Sequence, residues 1–438
     1  MTQDLQEALV LAQKAIVARL DPNEGYRPWF RITLEPSPEA HHDSWDFVDM
    51  AGRYVESLAM IRQLIGNSVP EEEPLRRFFL SMQEPDGLFY NREPFLADMF
   101  CQSRALNALC TMYMDREEPE ILERLRRLVH GLMGIATSTA TGLRYPANLY
   151  RQGEWIEGGL FYAAKDLWNV KPGYGGTQLE GIMKYVELAG DVQALEFVRR
   201  YLRFFLHEAE VVKEDGSYEG HLHSQGIVPT MVGACMFAEA TSDRNLLEHC
   251  DRFLRFTLSN CSSFGWVPDG IGWPTCETCA IGDFIHLACR LSRLGVGDYW
   301  DVVARFAQNQ LLENQFRTSS PCLLLDLPAN GGGGVLEMIV GSFASWAKPN
   351  DLLGGPDLEG CCLGGGVRGI FHVLSNLPDP EPPPYAPSPR VVLETVAGVE
   401  YALEWVGDRV AGISPPGERY PTYTRQREAS TAFFSPQT

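Results

Sequence analysis

Apolar residues at helical spacing recur along almost the whole chain, and this pattern constrains the fold more than any single motif. Helix-period runs cover 3–20, 45–65, 96–114, 119–136, 177–190, 192–208, 226–240, 243–258, 278–293 and 297–314, with weaker ones at 71–82, 159–168 and 364–374. Between them lie segments of one flavour: Q-E-P-D-G-L-F-Y (83–90), A-T-G-L-R-Y (140–145), E-D-G-S-Y-E-G-H (214–221) and S-F-G-W-V-P-D-G (263–270). Asp-Gly and Thr-Gly steps followed by aromatic residues suit tight turns or short β-ribbons at helix ends. Twelve or thirteen helices joined as hairpins predict a mainly α fold, a closed α/α toroid in which inner helix ends and the loops at one mouth build a concave site. An open α-solenoid would need a fixed repeat of roughly 33–45 residues, and the chain has none.

The helical part ends at the proline-rich run L-P-D-P-E-P-P-P-Y-A-P-S-P (377–389). Beyond it, R-V-V-L-E-T-V (390–396), V-E-Y-A-L-E-W (399–405) and R-V-A-G-I (409–413) read as short strands. The expected organisation is a helical barrel over 1–376, a linker over 377–389 and a β-rich tail over 390–438. Such a tail is too small for an independent sandwich and is expected to pack on the barrel as an appendage.

A formal charge of −20 over 438 residues argues against nucleic acid and anionic membrane as partners, since both need basic patches. The amino terminus lacks the basic start and apolar run of a signal peptide, and no window reaches the roughly 18 apolar residues of a membrane span. A cytoplasmic location is the expectation, and a homo-oligomer is left open. Six of the eleven cysteines (Cys101, Cys110, Cys235, Cys250, Cys289 and Cys322) sit among apolar residues, as buried free thiols do in a reducing compartment. The other five lie among glycine, proline and serine, which favours a site over a disulfide framework.

Those five include two clusters: C-E-T-C, giving Cys276, Glu277, Thr278 and Cys279, and the pair Cys361-Cys362 within G-C-C-L-G-G-G. Together they offer soft thiolates and a carboxylate, enough for a tetrahedral zinc site. A thiolate is also a nucleophile at neutral pH. Glu277 and Cys279 open a helix, where the dipole favours anions. The glycines beside Cys361 and Cys362 would let the backbone turn both sulfurs toward one ion. The plainer alternative is a set of small residues at helix caps.

The stretch E-T-C-A-I-G-D, followed by C-C in a glycine-rich segment, resembles glycoside hydrolase family 127, the zinc-dependent β-L-arabinofuranosidases with a cysteine nucleophile. H-S-Q-G-I-V-P (223–229) is similar to the family's H-A-N-T-Q-I-P segment, and T-Q-L-E-G-I-M-K-Y-V-E-L-A-G-D (177–191) to its helix ending in T-G-D. The resemblance spans roughly 45–375 and implies an (α/α)6 barrel. It implies zinc (Zn2+) held by Glu277, Cys279, Cys361 and Cys362, Cys361 as nucleophile, and His223 in contact with the sugar. The family's acid/base glutamate precedes E-T-C; in C-S-S-F-G-W-V-P-D-G-I-G-W-P (261–274) Asp269 is the only carboxylate and takes its place as the candidate. Two further family histidines fall near Gln102 and Gly176, and the family's large C-terminal β-domains are reduced to the short tail.

Composition marks further sugar-binding candidates. H-H-D-S-W-D-F-V-D-M-A-G-R (41–53) combines an aromatic face with carboxylates, so Trp45 and Asp46, with Asp49 and Arg53 on the same side, could line a glycan site. The alternative is an N-cap at Asp43 or Ser44 followed by a solvated face. Glu219, His221 and His223 form a second polar group, and Trp266 and Trp273 would either wall a pocket or fill the barrel mouth. Q-E-P-D-G-L-F also resembles a turn of terpene-cyclase barrels, but no D-x-D-D acid motif accompanies it. The sequence thus points to a zinc-dependent retaining glycosidase acting on a furanoside or related small glycan. The alternatives are an epimerase or lyase-like sugar enzyme with structural zinc, and a non-catalytic glycan-binding barrel.

Overall fold

Two kinds of helix alternate along the chain, and their sequences distinguish them. In a computed structural model, which describes all residues except 35–37, 157–175, 220–222, 318–332, 350, 353, 356, 378–388 and 415–438, thirteen α-helices are present among the described residues. They are α1 (Thr2–Ala18), α2 (Val48–Ile65), α3 (Glu72–Leu80), α4 (Met99–Arg116), α5 (Pro119–Ile135), α6 (Gln178–Ala189), α7 (Val192–Arg203), α8 (Ser224–Thr241), α9 (Arg244–Leu258), α10 (Thr278–Arg293), α11 (Trp300–Phe306), α12 (Gly333–Ile339) and α13 (Gly360–Asn376). Helix α8 is small and apolar on every side and is buried continuously from Ser224 to Ala238. Helix α7 buries only the stripe Ala194, Phe197, Val198, Tyr201 and Leu202, as expected of an outer helix with one wet face.

The helices with all-round burial form a ring: α2 packs on α4, α4 on α6, α6 on α8, α8 on α10, α10 on α13, and α13 back on α2. Outside it, α1 lies against α13, α3 against α2, α5 against α4, α7 against α6, α9 against α8, and α11 against α10. Six inner and six outer helices make the expected (α/α)6 toroid. The expected helix at 159–168 lies outside the described residues. No helix among the described residues is long and apolar enough to cross a membrane.

Helix ends follow the local chemistry. The side chains of Asp98, Asp191 and Asp243 accept backbone N–H groups at the starts of α4, α7 and α9. In the 83–90 turn the Leu88 N–H donates to Asp86 Oδ1 at 3.0 Å. Gly87 there has φ +91°, and a Cβ on it would lie 2.1 Å from the Arg127 carbonyl oxygen, so only glycine fits. The 140–145 segment closes a ribbon between Thr137–Ser138 and Leu143–Arg144.

The bore of the ring is charged. Arg368 on α13 donates to both Glu180 oxygens at 2.8 and 3.1 Å, and Lys184, one turn along α6, pairs with the same carboxylate at 2.7 Å. Burial opposes ionisation of Glu180, but Arg368 and Lys184 outweigh it and hold the carboxyl well below its usual range.

Beyond the helices, Pro389–Val396, Val399–Val406 and Arg409–Ser414 pair as an antiparallel meander. Asn309 anchors it to the helical body, accepting the Val410 N–H at 2.9 Å and donating to the Asp408 carbonyl at 3.0 Å. Val396, Leu403, Trp405, Val410 and Ile413 are buried and join the main core cluster, so this meander packs on the helical body; 415–438 of the expected tail lie outside the described residues. Most of the expected linker, 378–388, lies outside the described residues.

Candidate active site

Short backbone pairings fix where the two cysteine clusters enter their helices. Asp357–Glu359 pairs antiparallel with Arg31–Thr33, and the Gly360 N–H donates to the Phe30 carbonyl at 2.7 Å. The chain then turns into α13 with Cys361 and Cys362 in the first turn. Cys276 exchanges hydrogen bonds with Ala347 at 2.8 and 3.1 Å, and Thr278 Oγ1 donates to the Ala344 carbonyl at 2.6 Å, fixing the start of α10.

The helix expected over 364–374 starts earlier, at Gly360, so the glycines beside the cysteines form no backbone turn. They lie inside α13, and their role is close packing. A Cβ on Gly365 would sit 2.6 Å from Cys279 Cα and 2.7 Å from its Sγ, and one on Gly282 would sit 2.5 Å from the Gly365 carbonyl oxygen. Bare backbone at both positions lets α10 and α13 approach until the thiols meet. Gly365→Ala should therefore destabilise the protein by about 1–3 kcal/mol, although alanine is the better helix former. Urea unfolding measures the loss, and a neutral or stabilising result would refute the packing argument.

Three sulfurs and one oxygen converge. The donor atoms of Glu277, Cys279, Cys361 and Cys362 all lie within 4.8 Å of one another. Cys279 Sγ is 3.8 Å from Cys362 Sγ, and Cys361 Sγ is 3.9 Å from it. Glu277 Oε1 is 3.5 Å from Cys361 Sγ and 3.7 Å from Cys362 Sγ. These are far from the ~2.05 Å of a disulfide. A tetrahedral zinc, with sulfur at about 2.3 Å and oxygen at about 2.0–2.2 Å, has S···S edges of about 3.8 Å and S···O edges of about 3.5–3.7 Å. The four side chains therefore fit such an ion in both donor type and spacing.

The thiols differ electrostatically. Burial opposes ionisation of Cys279, but its contacts with the Cys361 and Cys362 sulfurs and the Arg53 and Arg104 guanidiniums hold it well below the usual thiol range. Cys361 is pushed up by its contacts with Cys279 and Cys362, and then by burial; Cys362 is pushed up chiefly by burial. Cys361, at 6% exposure, is the most accessible of the three, against 1% for Cys279 and 0% for Cys362.

His223, at the start of α8, places Nε2 2.8 Å from Glu277 Oε2. Asp269 joins these two within 4.8 Å. It is fully buried; Oδ2 accepts from Thr275 Oγ1 at 2.6 Å, and Oδ1 has no hydrogen-bond partner among the described residues. Burial, then repulsion from Glu277, pushes the Asp269 carboxyl up to about 7. Glu359 escaped the sequence reading. Its Oε2 lies 3.7 Å from Cys361 Sγ, and burial followed by Glu277 pushes it up to about 8. Its position two residues before Cys361, at the end of a strand, was the available signal.

Other expected residues fall elsewhere. Cys276 is buried beside the cluster without joining it. Asp46 is not poised for a sugar: its carboxylate accepts from the Phe30 and Asp43 N–H groups and Arg27 Nε, and contacts His42 Nδ1 at 2.7 Å, closing a capping box. Trp45 is half-buried between Phe30 and Phe100, with ring centroids 6.2 and 6.0 Å away. Trp266 lies in the core, its indole N–H donating to the Ala347 carbonyl at 3.2 Å, so it fills the interior rather than walling a pocket. Trp273 is the tryptophan beside His223, at 6.2 Å between rings. Glu219 is exposed, and His221 lies outside the described residues.

No protein-family model and no curated protein sequence matches the chain. Solved structures match in fold. The cellobiose 2-epimerase of Bacillus thermoamylovorans B4167 superposes with a TM-score of 0.64 at 9% identity, over 86% of this chain and 99% of that one. An α-1,6-mannanase of glycoside hydrolase family 76 from Salegentibacter sp. HEL1_6, bound to α-1,6-mannotriose, gives 0.53 at 12% identity over 86% and 99%. A β-arabinofuranosidase of family 127 gives 0.51 at 14% identity, over 92% of this chain and 61% of that one. These likenesses establish the toroid fold.

Proposed function

We propose that this protein is a zinc-dependent retaining glycoside hydrolase acting on a furanoside, β-L-arabinofuranoside-like, or on a related small glycan. The observation that carries the reading is the convergence of three thiols and a carboxylate at tetrahedral spacing, at the starts of inner helices, in a fold shared with solved sugar enzymes. Zinc bound there would keep its cysteine ligands deprotonated near neutral pH. Glu277, Cys279 and Cys362 would hold it together with Cys361, the least buried of the three thiols, which also acts on substrate. Its sulfur attacks the anomeric carbon as the bond to the leaving oxygen breaks, and Asp269 gives that oxygen its proton. Water then attacks the same carbon, passes a proton to Asp269 and releases the sulfur. Two displacements retain the anomeric configuration. His223 is the sugar contact, steadied by Glu277.

The test is a zinc assay on protein purified without chelator, together with a screen of aryl furanosides and pyranosides and NMR of the first-formed anomer. Absence of stoichiometric metal, or an inverted product, defeats the reading. Asp269→Asn should lower turnover of substrates with poor leaving groups by roughly 10²–10⁴-fold and that of activated aryl glycosides much less. Equal losses on both would move the acid/base role elsewhere.

A second reading is favoured by the higher TM-score of the epimerase, 0.64 against 0.51 for the arabinofuranosidase. In that case zinc would only tie α10 to α13, and a reducing sugar is epimerised by removing a C–H proton and returning it on the other face, with the glycosidic bond left intact. Epimerised product from an unsubstituted disaccharide, with no hydrolysis of any glycoside, would select it.

A further inference from the structure

We infer that Arg53 is a positioning residue of the thiol cluster: from α2 it balances the cluster's negative charge and ties its two halves together. The inference rests on the metal-centre reading above. Arg53 Nη1 lies 3.7 Å from Cys279 Sγ on α10 and 3.4 Å from the Cys361 carbonyl oxygen on α13. Its Nε is held by both oxygens of Asp49, one turn earlier, at 3.0 and 3.1 Å. The stem runs past bare backbone, since a Cβ on Gly364 would lie 3.0 Å from Arg53 Cβ. The side chain is buried at 2% exposure and stands 5.9 Å from the Phe100 ring, and its Nε and Nη1 are both bonded.

Charge gives the reason for a cation here. Three thiolates and a carboxylate around a divalent ion leave two negative charges, on residues that water hardly reaches. Buried charge without a partner is costly, and a guanidinium bonded to sulfur offsets part of it. The bonding is also asymmetric. Arg53 takes the sulfur of Cys279 but the backbone, not the sulfur, of Cys361. The hydrogen bond draws electron density from Cys279 and makes it the anchored ligand. Cys361 is fixed in place while its lone pairs remain for reaction. Lysine cannot reproduce this, because a single ammonium lacks the fork that spans Asp49, sulfur and carbonyl.

The test compares Arg53→Met, Arg53→Lys and Asp49→Asn with the wild type in two measurements. Competition with a chromophoric chelator gives zinc affinity, and the cobalt-substituted protein gives the sulfur-to-cobalt charge-transfer band. Arg53→Met should weaken zinc binding roughly 10–100-fold, as loss of an outer-shell partner does, with the two milder variants in between. The band should move to longer wavelength once the N–H···S bond is gone, a change that a merely structural residue would not cause. Unchanged affinity and an unchanged band in Arg53→Met overturn the inference. Should that variant fail to fold, the same two null results in both Arg53→Lys and Asp49→Asn overturn it. A wild type without zinc defeats the metal centre itself, whereas a zinc-bearing wild type with indifferent variants defeats only the role of Arg53.

Discussion

Replacing Cys361 with alanine is expected to lower turnover by roughly 10³-fold or more, the scale on which removing a covalent nucleophile acts. Serine should rescue little, since a hydroxyl is a weak nucleophile and a poor soft ligand. Loss of activity alone would not separate chemistry from a collapsed metal centre, because Cys361 Sγ also stands 3.5 Å from Glu277 and 3.9 Å from Cys362. The decisive measurement is mass spectrometry of the intact wild type after exposure to a slow or activated furanoside. A sugar adduct on the peptide bearing Cys361, with the fold preserved by circular dichroism, supports the double displacement. An adduct on a carboxylate ends it.

The second large effect concerns stability. Glu180→Leu should cost about 3–5 kcal/mol, the scale for removing one partner of a buried ion pair. It leaves Arg368 and Lys184 facing each other in the bore without the carboxylate that both contact. The same pair sets an acid limit. Glu180 is held well below its ordinary value in the folded chain, so its contribution is complete above the unfolded value of about 4.3 and is lost as pH falls through the depressed one. Urea unfolding should show wild-type stability declining through that window. In Glu180→Gln this component should be missing, and an identical acid decline in both proteins would remove Glu180 as its source.

Periodicity made most helices legible, because an outer helix such as α9 must show one apolar stripe (Leu247, Cys250, Phe253, Leu254 and Thr257) to bury anything at all. Inner helices were legible as apolar runs, but which face met which neighbour was not. In G-C-C-L-G-G-G only the part from Gly364 falls in an expected helical run, and glycine's local preference for turns hid that the helix begins at Gly360. Only the proximity of Cys279 reveals that Gly365 serves helix packing. H-H-D-S-W-D likewise has a sugar site's composition, yet Asp46 spends its oxygens on Phe30, Arg27 and its own cap. The two clusters stood out by residue type and the resemblance fixed the set of four, but nothing local told that the thiols meet. Arg53 had no local signal for its role, its partners lying 226 and 308 positions away.

Closure of the ring through α13 and α2 has a consequence for the order of assembly. The wall that completes the toroid joins residues near position 50 to residues near position 365, so contacts about 300 positions apart form the last seam of the inner ring. During synthesis, α2 through α10 can stack as neighbouring hairpins while the chain is still emerging. The cluster cannot form until Cys361 and Cys362 have left the ribosome, and Arg53 must wait for them behind an open edge. Capture of a metal ion at this seam would then act as a latch, engaged only by a chain that has been made past Cys362 and has closed in the right register.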